Sequence, residues 1–196
     1  MQNLERKQRE AEQTEAQAAL TAHRDELLNS PESPVGGNPQ GDVTLVEFFD
    51  YNCPYCRQVA PSMVAAEDGD PQLRIVYKEF PILGPNSVFA ARAALAARNQ
   101  NLYPQFHKAM MQASGSADEA QVVAVAEEIG LDVDQLRTDM QDPTIDAEIE
   151  LNLALARALR INGTPGFVIG DEILRGATDL QTMHRLIDQA RKDQNR

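Results

Sequence analysis

The two cysteines of the chain, Cys53 and Cys56, are its most informative residues. They form a Cys-Pro-Tyr-Cys motif, and a pair with this spacing can bind zinc, attach haem or exchange a dithiol for a disulfide. Haem attachment would need a histidine after the second cysteine, and position 57 is arginine. Zinc would need two further ligands, and the three histidines stand alone in separate predicted helices. A purely structural disulfide would close too short a loop to stabilise much. The pair therefore favours dithiol–disulfide exchange.

The residues around the pair place it between a strand and a helix. Residues 43–51 are apolar, β-branched and aromatic, which predicts a buried strand. Pro54 suits the first turn of a helix, where its missing N–H is no loss. The helix dipole and backbone N–H groups then stabilise a thiolate on Cys53. Cys56 lies one turn inside the helix and can displace a mixed disulfide formed on Cys53. A second strand over 73–80 completes a β-α-β unit.

Length and composition indicate a globular protein built around one domain. The chain has 196 residues, 42% of them hydrophobic, and a formal net charge of −12 from 18 basic and 30 acidic residues. A nucleic-acid partner would need a basic surface, so the charge argues against one. Between positions 113 and 152 there are eleven acidic residues and one basic residue, Arg137. We interpret this segment as a solvated face; binding to a basic partner is the alternative.

Residues 1–29 are predicted to form an N-terminal helical extension, with one helix from residue 3 to about 29, because they are rich in good helix formers. Its apolar residues follow two tracks: Leu4, Ala11 and Ala18, and then Ala16, Leu20, His23 and Leu27. Such a helix is either a solvated arm or buries its thin stripe against copies of itself, as in a short coiled coil. Residues 30–40 hold three prolines and two glycines, which predicts a linker with a possible edge strand. The main domain is then 41–196.

The second half of the chain is predicted to be mostly helical, from about 85 to 160. Residues 116–119 have the form of a capping box that begins one of these helices. Asp142, followed by proline, is expected to cap a long helix. A turn at 170–171 then joins two short strands, and an amphipathic helix follows.

The stretch Glu-Phe-Phe-Asp-Tyr-Asn-Cys-Pro-Tyr-Cys at 47–56, with Gly-Thr-Pro at 163–165, resembles the DsbA-like thiol:disulfide interchange proteins. The resemblance covers about 41–193 and keeps the family's order of motif, helical insertion and Thr-Pro loop. It implies an α/β thioredoxin fold interrupted by a helical insertion at about 85–160, here preceded by the helical extension. It also implies no cofactor besides the redox-active cysteine pair, no metal, and export to the periplasm.

The start of the chain bears on that location. It opens with charged residues and shows no apolar stretch of a secretory signal. Composition alone fits either a cytosolic protein or a processed one. With the resemblance, we expect the mature periplasmic form from which the signal peptide has been removed.

The resemblance also assigns roles to individual residues. Cys53 and Cys56 are catalytic, and Glu47 is a buried carboxylate that assists proton transfer at Cys56. The alternative for Glu47 is an edge or solvent-facing strand residue. Four further residues are expected to contact the substrate, with the peptide bond before the last of them in the cis form: Pro54, Tyr55, Thr164 and Pro165.

Two positions differ from the strongly oxidising members of the family. Those carry His where this chain has Tyr55, and Val where it has Thr164. Loss of the His should destabilise the Cys53 thiolate and make the disulfide less oxidising. The N-terminal helix and linker resemble the suppressor-of-copper-sensitivity C proteins, in which such an extension oligomerises the catalytic domains. By that resemblance the chain is an oligomeric isomerase, with a trimer favoured, which a membrane-bound thiol reductase keeps reduced.

Two other hypotheses remain open from the sequence. The first is a monomeric dithiol oxidase that donates its disulfide to reduced proteins. The second, from another class, is a copper-binding or chaperone-like protein connected with copper tolerance. Soft thiolates suit copper(I), so Cys53 and Cys56 are the candidate ligands in that case.

Overall fold

The structure, a computed structural model, describes residues 2–194, with the side chains of 6–8 and 10–194. In chain order its helices and strands are α1 (Gln2–Ala22), α2 (Arg24–Asn29), β1 (Val35–Gly37), β2 (Val43–Phe49), α3 (Pro54–Gly69), β3 (Leu73–Glu79), α4 (Pro85–Ala97), a 3-10 turn (Arg98–Gln100), α5 (Tyr103–Gln112), α6 (Glu119–Glu128), α7 (Val133–Asp139), α8 (Pro143–Ala158), β4 (Gly166–Ile169), β5 (Glu172–Arg175) and α9 (Leu180–Gln194).

The strands form one sheet in the order β1-β3-β2-β4-β5. β2 and β3 are parallel, as the predicted β-α-β unit requires, and the other neighbours are antiparallel. Helices α4–α8 are inserted between β3 and β4. The predicted α/β thioredoxin fold with a helical insertion is therefore confirmed. Among the described residues, no helix is both long and apolar enough to cross a bilayer.

The central strands are buried on both faces, because helices cover the sheet on each side. Alternate residues of a strand point to opposite faces, so Leu45 and Phe49 pack with α3, α9 and the insertion. Val46 and Phe48 pack on the other face, against residues of α1, α2 and α8. The N-terminal helices thus contribute to the core of the domain.

The prediction of one helix over 3–29 is wrong, because the helix breaks at His23, whose φ of −105° and ψ of 16° are not helical. Helix propensity does not reveal such a break. Ala16, Leu20 and Leu27 are each 1% exposed, and Leu20 and Leu27 pack against the sheet of their own chain. This part of the extension is therefore not a solvated arm. In the other predicted track Ala11 and Ala18 are exposed, and the side chain of Leu4 lies outside the described ones.

The proline- and glycine-rich stretch at 30–40 contains the edge strand β1, which pairs with β3. Gly37 has a φ of +64°, and a Cβ at this position would lie 2.4 Å from the carbonyl oxygen of Leu73. Only glycine fits so close to the neighbouring backbone. The Gly37 N–H donates to Glu67 Oε1 at 2.7 Å. The predicted linker is thus bound along the sheet edge.

A cluster of charged and polar side chains, most of them buried, holds the same segment from inside the domain, and we call it the buried cluster: Ser30, Ser33, Lys78 and Glu148. Lys78 on β3 is fully buried, and its Nζ donates to Ser33 Oγ at 2.7 Å and lies 3.7 Å from Glu148 Oε1. Glu148 on α8 accepts hydrogen bonds from Ser30 at 2.9 Å and from Ser33 at 2.6 Å. Burial lowers the pKa of Lys78, and the nearby Glu148 opposes that shift. Glu148 is one of the eleven acidic residues interpreted as a solvated face, and for this residue the interpretation is wrong.

Two helix-capping predictions have different outcomes. Asp142 caps α8, since its Oδ1 accepts from Thr144 N at 2.9 Å. The capping box at 116–119 is wrong, because Asp118 caps α6 instead. The hydroxyl of Ser116 donates to Asn52 at 3.3 Å, a contact that the local sequence cannot show.

We expect Glu148→Gln to lower the free energy of unfolding by about 3–5 kcal/mol, because it leaves Lys78 buried without its counter-charge. Urea denaturation at neutral pH measures this. The control is Glu119→Gln, which breaks an exposed pair with Arg137 (2.8 Å) and should cost less than about 1 kcal/mol. Equal, small losses for both variants would contradict a structural role of the buried cluster.

Candidate active site

The turn that carries the cysteines, here called the active-site turn (residues 50–56), is organised by Asp50. Asp50 is 2% exposed. Its Oδ1 accepts from Asn52 N at 2.8 Å and from Ser87 Oγ at 2.7 Å. Its Oδ2 accepts from the N–H groups of Ile82 at 2.9 Å and Leu83 at 3.0 Å. The turn is therefore attached to the segment that follows β3.

The two cysteines sit at the start of α3 with different surroundings. Cys53 is the N-cap residue, and its Sγ donates to the carbonyl oxygen of Thr164 at 3.3 Å. Cys53 is only 4% exposed, less than a surface nucleophile would be, because the Thr164 loop lies over it. Cys56 is fully buried, and this burial, with Glu47 and Cys53 nearby, raises its pKa. Cys53 is thus the thiol nearer to solvent, and Cys56 is held beneath it.

The residues expected around the cysteines lie at this site. The Thr164–Pro165 peptide bond is cis, as the resemblance implies. Pro165 is buried and its carbonyl accepts from Gly176 N at 2.8 Å. Pro54 and Tyr55 are exposed beside the thiols. Their role as substrate contacts stays a prediction.

Glu47 lies inside the sheet. It occupies the central strand β2, is paired with Tyr77 of β3, and is 2% exposed. The alternative of an edge or solvent-facing position is therefore wrong. Burial raises the pKa of Glu47 to about 8. A carboxyl group with a pKa in this range can exchange protons near neutral pH.

A second buried acid, Glu79, was missed by the sequence reasoning. Its Oε1 accepts from Tyr51 at 3.1 Å and from Tyr103 at 2.9 Å. The Tyr51 hydroxyl also lies 3.1 Å from Nδ1 of His107. Burial raises the pKa of Glu79 and lowers the pKa of His107 to about 3, so the imidazole stays neutral. The sequence offered no specific signal for it, because β3 also carries two other charged residues, Arg74 and Lys78.

The surface around the cysteines is apolar on one side. The exposed large hydrophobic side chains of the described residues all belong to the active-site turn, the loop after β3 or the start of α4, and we call them the apolar rim: Tyr55 (59% exposed), Ile82 (38%), Leu83 (51%) and Val88 (38%). Apart from this rim, a cleft of about 490 Å³ lies between α3 and the start of α9, and its lining residues are mainly polar. Among the described residues, no group of three or more His, Cys, Asp or Glu could hold a metal ion.

Comparison with known proteins agrees with this geometry. Residues 44–188 match the family described as a DSBA-like thioredoxin domain. The chain belongs to this family. A thioredoxin-like oxidoreductase from Silicibacter pomeroyi DSS-3 is 51% identical, with a TM-score of 0.85 over 86% of this chain and 98% of that one. The catalytic domain of Proteus mirabilis ScsC is 29% identical, with a TM-score of 0.81 over 89% of this chain and 97% of that one.

A longer relative also matches this DSBA-like chain. The Na(+)/H(+) antiporter NhaA of Herminiimonas arsenicoxydans is 30% identical over 178 residues, which are 88% of this chain and 28% of the antiporter. The chain spans about a quarter of the length of the curated relatives it matches. The likeness therefore concerns one part of those proteins.

We expect Glu47→Gln to stabilise the protein at neutral pH and to have no such effect in acid. Below pH 4.5 the carboxyl is protonated in the folded and the unfolded chain alike. As the pH rises from 4.5 towards 8, the unfolded chain ionises first, so the wild type loses stability. At pH 7 the difference should reach roughly 3 kcal/mol.

Urea denaturation from pH 4 to pH 8 measures this difference. Glu172→Gln, which changes an exposed strand residue, should give a small difference that hardly varies with pH. A Glu47→Gln effect that is the same at every pH would contradict ionisation of a buried Glu47.

Proposed function

We propose that this chain is a periplasmic thiol:disulfide oxidoreductase whose main role is to isomerise or reduce wrong disulfides in misoxidised proteins. The observation that carries this proposal is the position of Cys53. Its thiol is at the N-terminus of α3 and faces the Thr164 carbonyl, with Cys56 buried beneath it. The proposed chemistry uses no cofactor and no metal besides the cysteine pair.

The proposed reaction follows from the different positions of the Cys53 and Cys56 thiols. The Cys53 thiolate attacks one sulfur of a substrate disulfide, forming a mixed disulfide and releasing the other substrate sulfur as a thiolate. In isomerisation, a different substrate thiolate attacks the substrate sulfur of the mixed disulfide, which forms a new substrate disulfide and releases Cys53 as a thiolate. In reduction, Cys56 gives its proton to the ionised form of Glu47 and attacks the Cys53 sulfur, which forms the Cys53–Cys56 disulfide and releases the second substrate sulfur as a thiolate. This thiolate then takes a proton from solvent. Glu47 is the proposed acceptor because it is buried on the adjacent strand and charge on it raises the pKa of Cys56.

The apolar rim supports a polypeptide substrate. A partner bound covalently to Cys53 must lie against Tyr55, which stands between the two cysteines. Ile82 and Leu83 have exposed side chains, yet Asp50 holds their backbone. Exposed apolar surface of this kind marks interaction sites. Misfolded proteins expose apolar segments and suit such a rim.

The identity of two residues supports isomerase or reductase activity rather than oxidase activity. Tyr55 and Thr164 replace the His and Val of the strongly oxidising relatives. A less stabilised thiolate makes the disulfide a weaker oxidant. Isomerisation also needs Cys53 to be reduced, so electrons must come from outside the chain. We propose a membrane-bound thiol reductase as that partner.

Tyr55→His should make the Cys53–Cys56 disulfide more oxidising. We expect the equilibrium constant with glutathione to change by about tenfold, or ~30 mV. Tyr55→Phe is the control, because it keeps the ring and adds no charge. The chain has no tryptophan, so the redox state is best followed by thiol alkylation and mass spectrometry. If the His and Phe variants match each other, residue 55 does not set the potential.

We further propose that the chain forms a homo-oligomer, with a trimer favoured, through residues 1–29. In the first part of α1 the described side chains up to Glu15 are exposed, whereas Ala16 is buried. The exposed part is the surface that remains for other copies. A monomeric oxidase is the second candidate, and one observation favours it: Leu20 and Leu27 pack against their own domain.

Deletion of residues 1–15 separates these candidates. Deletion of 1–38 would not, because it also removes β1 and the serines that bind Glu148. We expect light scattering to give an oligomer for the full chain and a monomer for the deletion. The monomer should reactivate scrambled ribonuclease at least about fivefold more slowly, because linked active sites act at high effective concentration.

Cys53→Ser is the control for this assay and should abolish reactivation. A full-length monomer that oxidises reduced ribonuclease quickly and does not reactivate the scrambled form would support the oxidase instead. Equal reactivation by the full chain and the deletion would contradict a role for the extension.

A further inference from the structure

The segment between α5 and α6 contacts the active-site turn through Asn52. The Oδ1 of Asn52 accepts from Ala117 N at 2.8 Å and from Ser116 Oγ at 3.3 Å. Its Nδ2 donates to Ser87 Oγ at 3.1 Å. Asn52 directly precedes Cys53, so residues 116–117 lie next to the residue that carries the reactive thiol.

Arg57 holds the other end of the same segment. Its Nη1 donates to the carbonyl oxygens of Ala113 at 2.9 Å and Gly115 at 2.7 Å. Its Nε donates to the carbonyl of Tyr51 at 2.9 Å. A planar guanidinium can bind several acceptors at fixed angles, which a lysine ammonium cannot reproduce. Arg57 therefore ties the segment to both the start and the end of the active-site turn.

Residues 113–117, here called the insertion loop, are otherwise held only at their ends. At the first end, Ala113 packs against the core and its N–H donates to the carbonyl oxygen of Ala109 at 2.9 Å. They belong to no helix or strand, and residues 114–116 are exposed. Gly115 has a φ of +85°, a conformation that favours glycine. Ala117 is buried and fixes the other end. The position of the exposed part is thus set mainly by two side chains of the active-site region.

We infer that Asn52 and Arg57 are positioning residues that hold the insertion loop as a wall of the site for protein substrates. This inference rests on the proposed function. A polypeptide joined to Cys53 meets the apolar rim and the Thr164 loop, and the insertion loop lies beside Asn52. The exposed loop offers the hydroxyl and backbone groups of Ser114 to the main chain of an extended peptide.

The test compares Asn52→Ala, Arg57→Gln and Arg57→Lys with the wild type, using scrambled ribonuclease as the substrate. Each change removes hydrogen bonds to the loop, so KM should rise about fivefold. The kcat value should change by less than about twofold, because the cysteines stay in place. Amide hydrogen exchange in 113–117 should become about tenfold faster. Arg57→Lys should resemble Arg57→Gln, because charge alone does not hold the loop.

Arg92→Gln is the matched control. Arg92 also binds a backbone carbonyl, that of Met140 at 3.1 Å, and an acid, Asp146, but both lie within the insertion. This variant should leave the KM for ribonuclease at the wild-type value. The reaction of each variant with dithiothreitol reports on the thiols themselves.

Three results would overturn the inference. Faster exchange in the insertion loop with an unchanged KM would show that the loop is not part of the substrate site. A changed dithiothreitol rate in Arg57→Gln, with Arg57→Lys and Asn52→Ala like the wild type, would show that Arg57 acts on the thiols through its charge. A wild type that does not act on protein disulfides would refute the proposed function itself, whatever the variants do.

Discussion

The carboxylate of Asp50 is the interaction on which the site depends. Parallel strands β2 and β3 end side by side, with Phe80 N donating to Phe49 O at 2.9 Å. The chain leaves both strands at this edge, and Asp50 binds the two departing segments together through four hydrogen bonds. A buried carboxylate with this many donors is well satisfied. The placement of Cys53 and of the apolar rim follows from it.

Two further acids lie on one face of the sheet and differ in their partners. Glu47 is opposite Tyr77, and Glu79 is opposite Phe49, so both acids point towards the helices on the α3 side. Glu79 receives hydrogen bonds from two tyrosines, and these also fix Tyr51 before the cysteines. Burial raises the pKa of both acids, and that of Glu47 rises to about 8. Glu79 thus anchors two tyrosines, whereas Glu47 lies on the strand that leads to the cysteines and has a pKa suited to proton transfer near neutral pH.

The parts of this architecture that could be predicted have local signals. Pro54 after an apolar run indicates a strand followed by a helix, and Asp142 before a proline indicates a helix start. The parts that could not be predicted depend on residues far apart in sequence. Ser116 has the form of a helix cap but binds Asn52, 64 positions away. Glu79 resembles any strand acid until the tyrosines around it are known, because strand periodicity does not identify partners from distant parts of the chain.

The stretch at 30–40 shows how composition and contacts can divide a chain differently. Its prolines and glycines are typical of a linker, but it forms an edge strand and supplies Ser33 to a buried ion pair. Judged by side-chain burial, the part of the N-terminal extension that lies outside the core ends near Ala16, the first buried residue described in α1. Its described side chains are mostly charged or polar, including an exposed Arg6–Glu10 pair. Any assembly through this segment would therefore rely largely on polar and ionic contacts, and salt would weaken it.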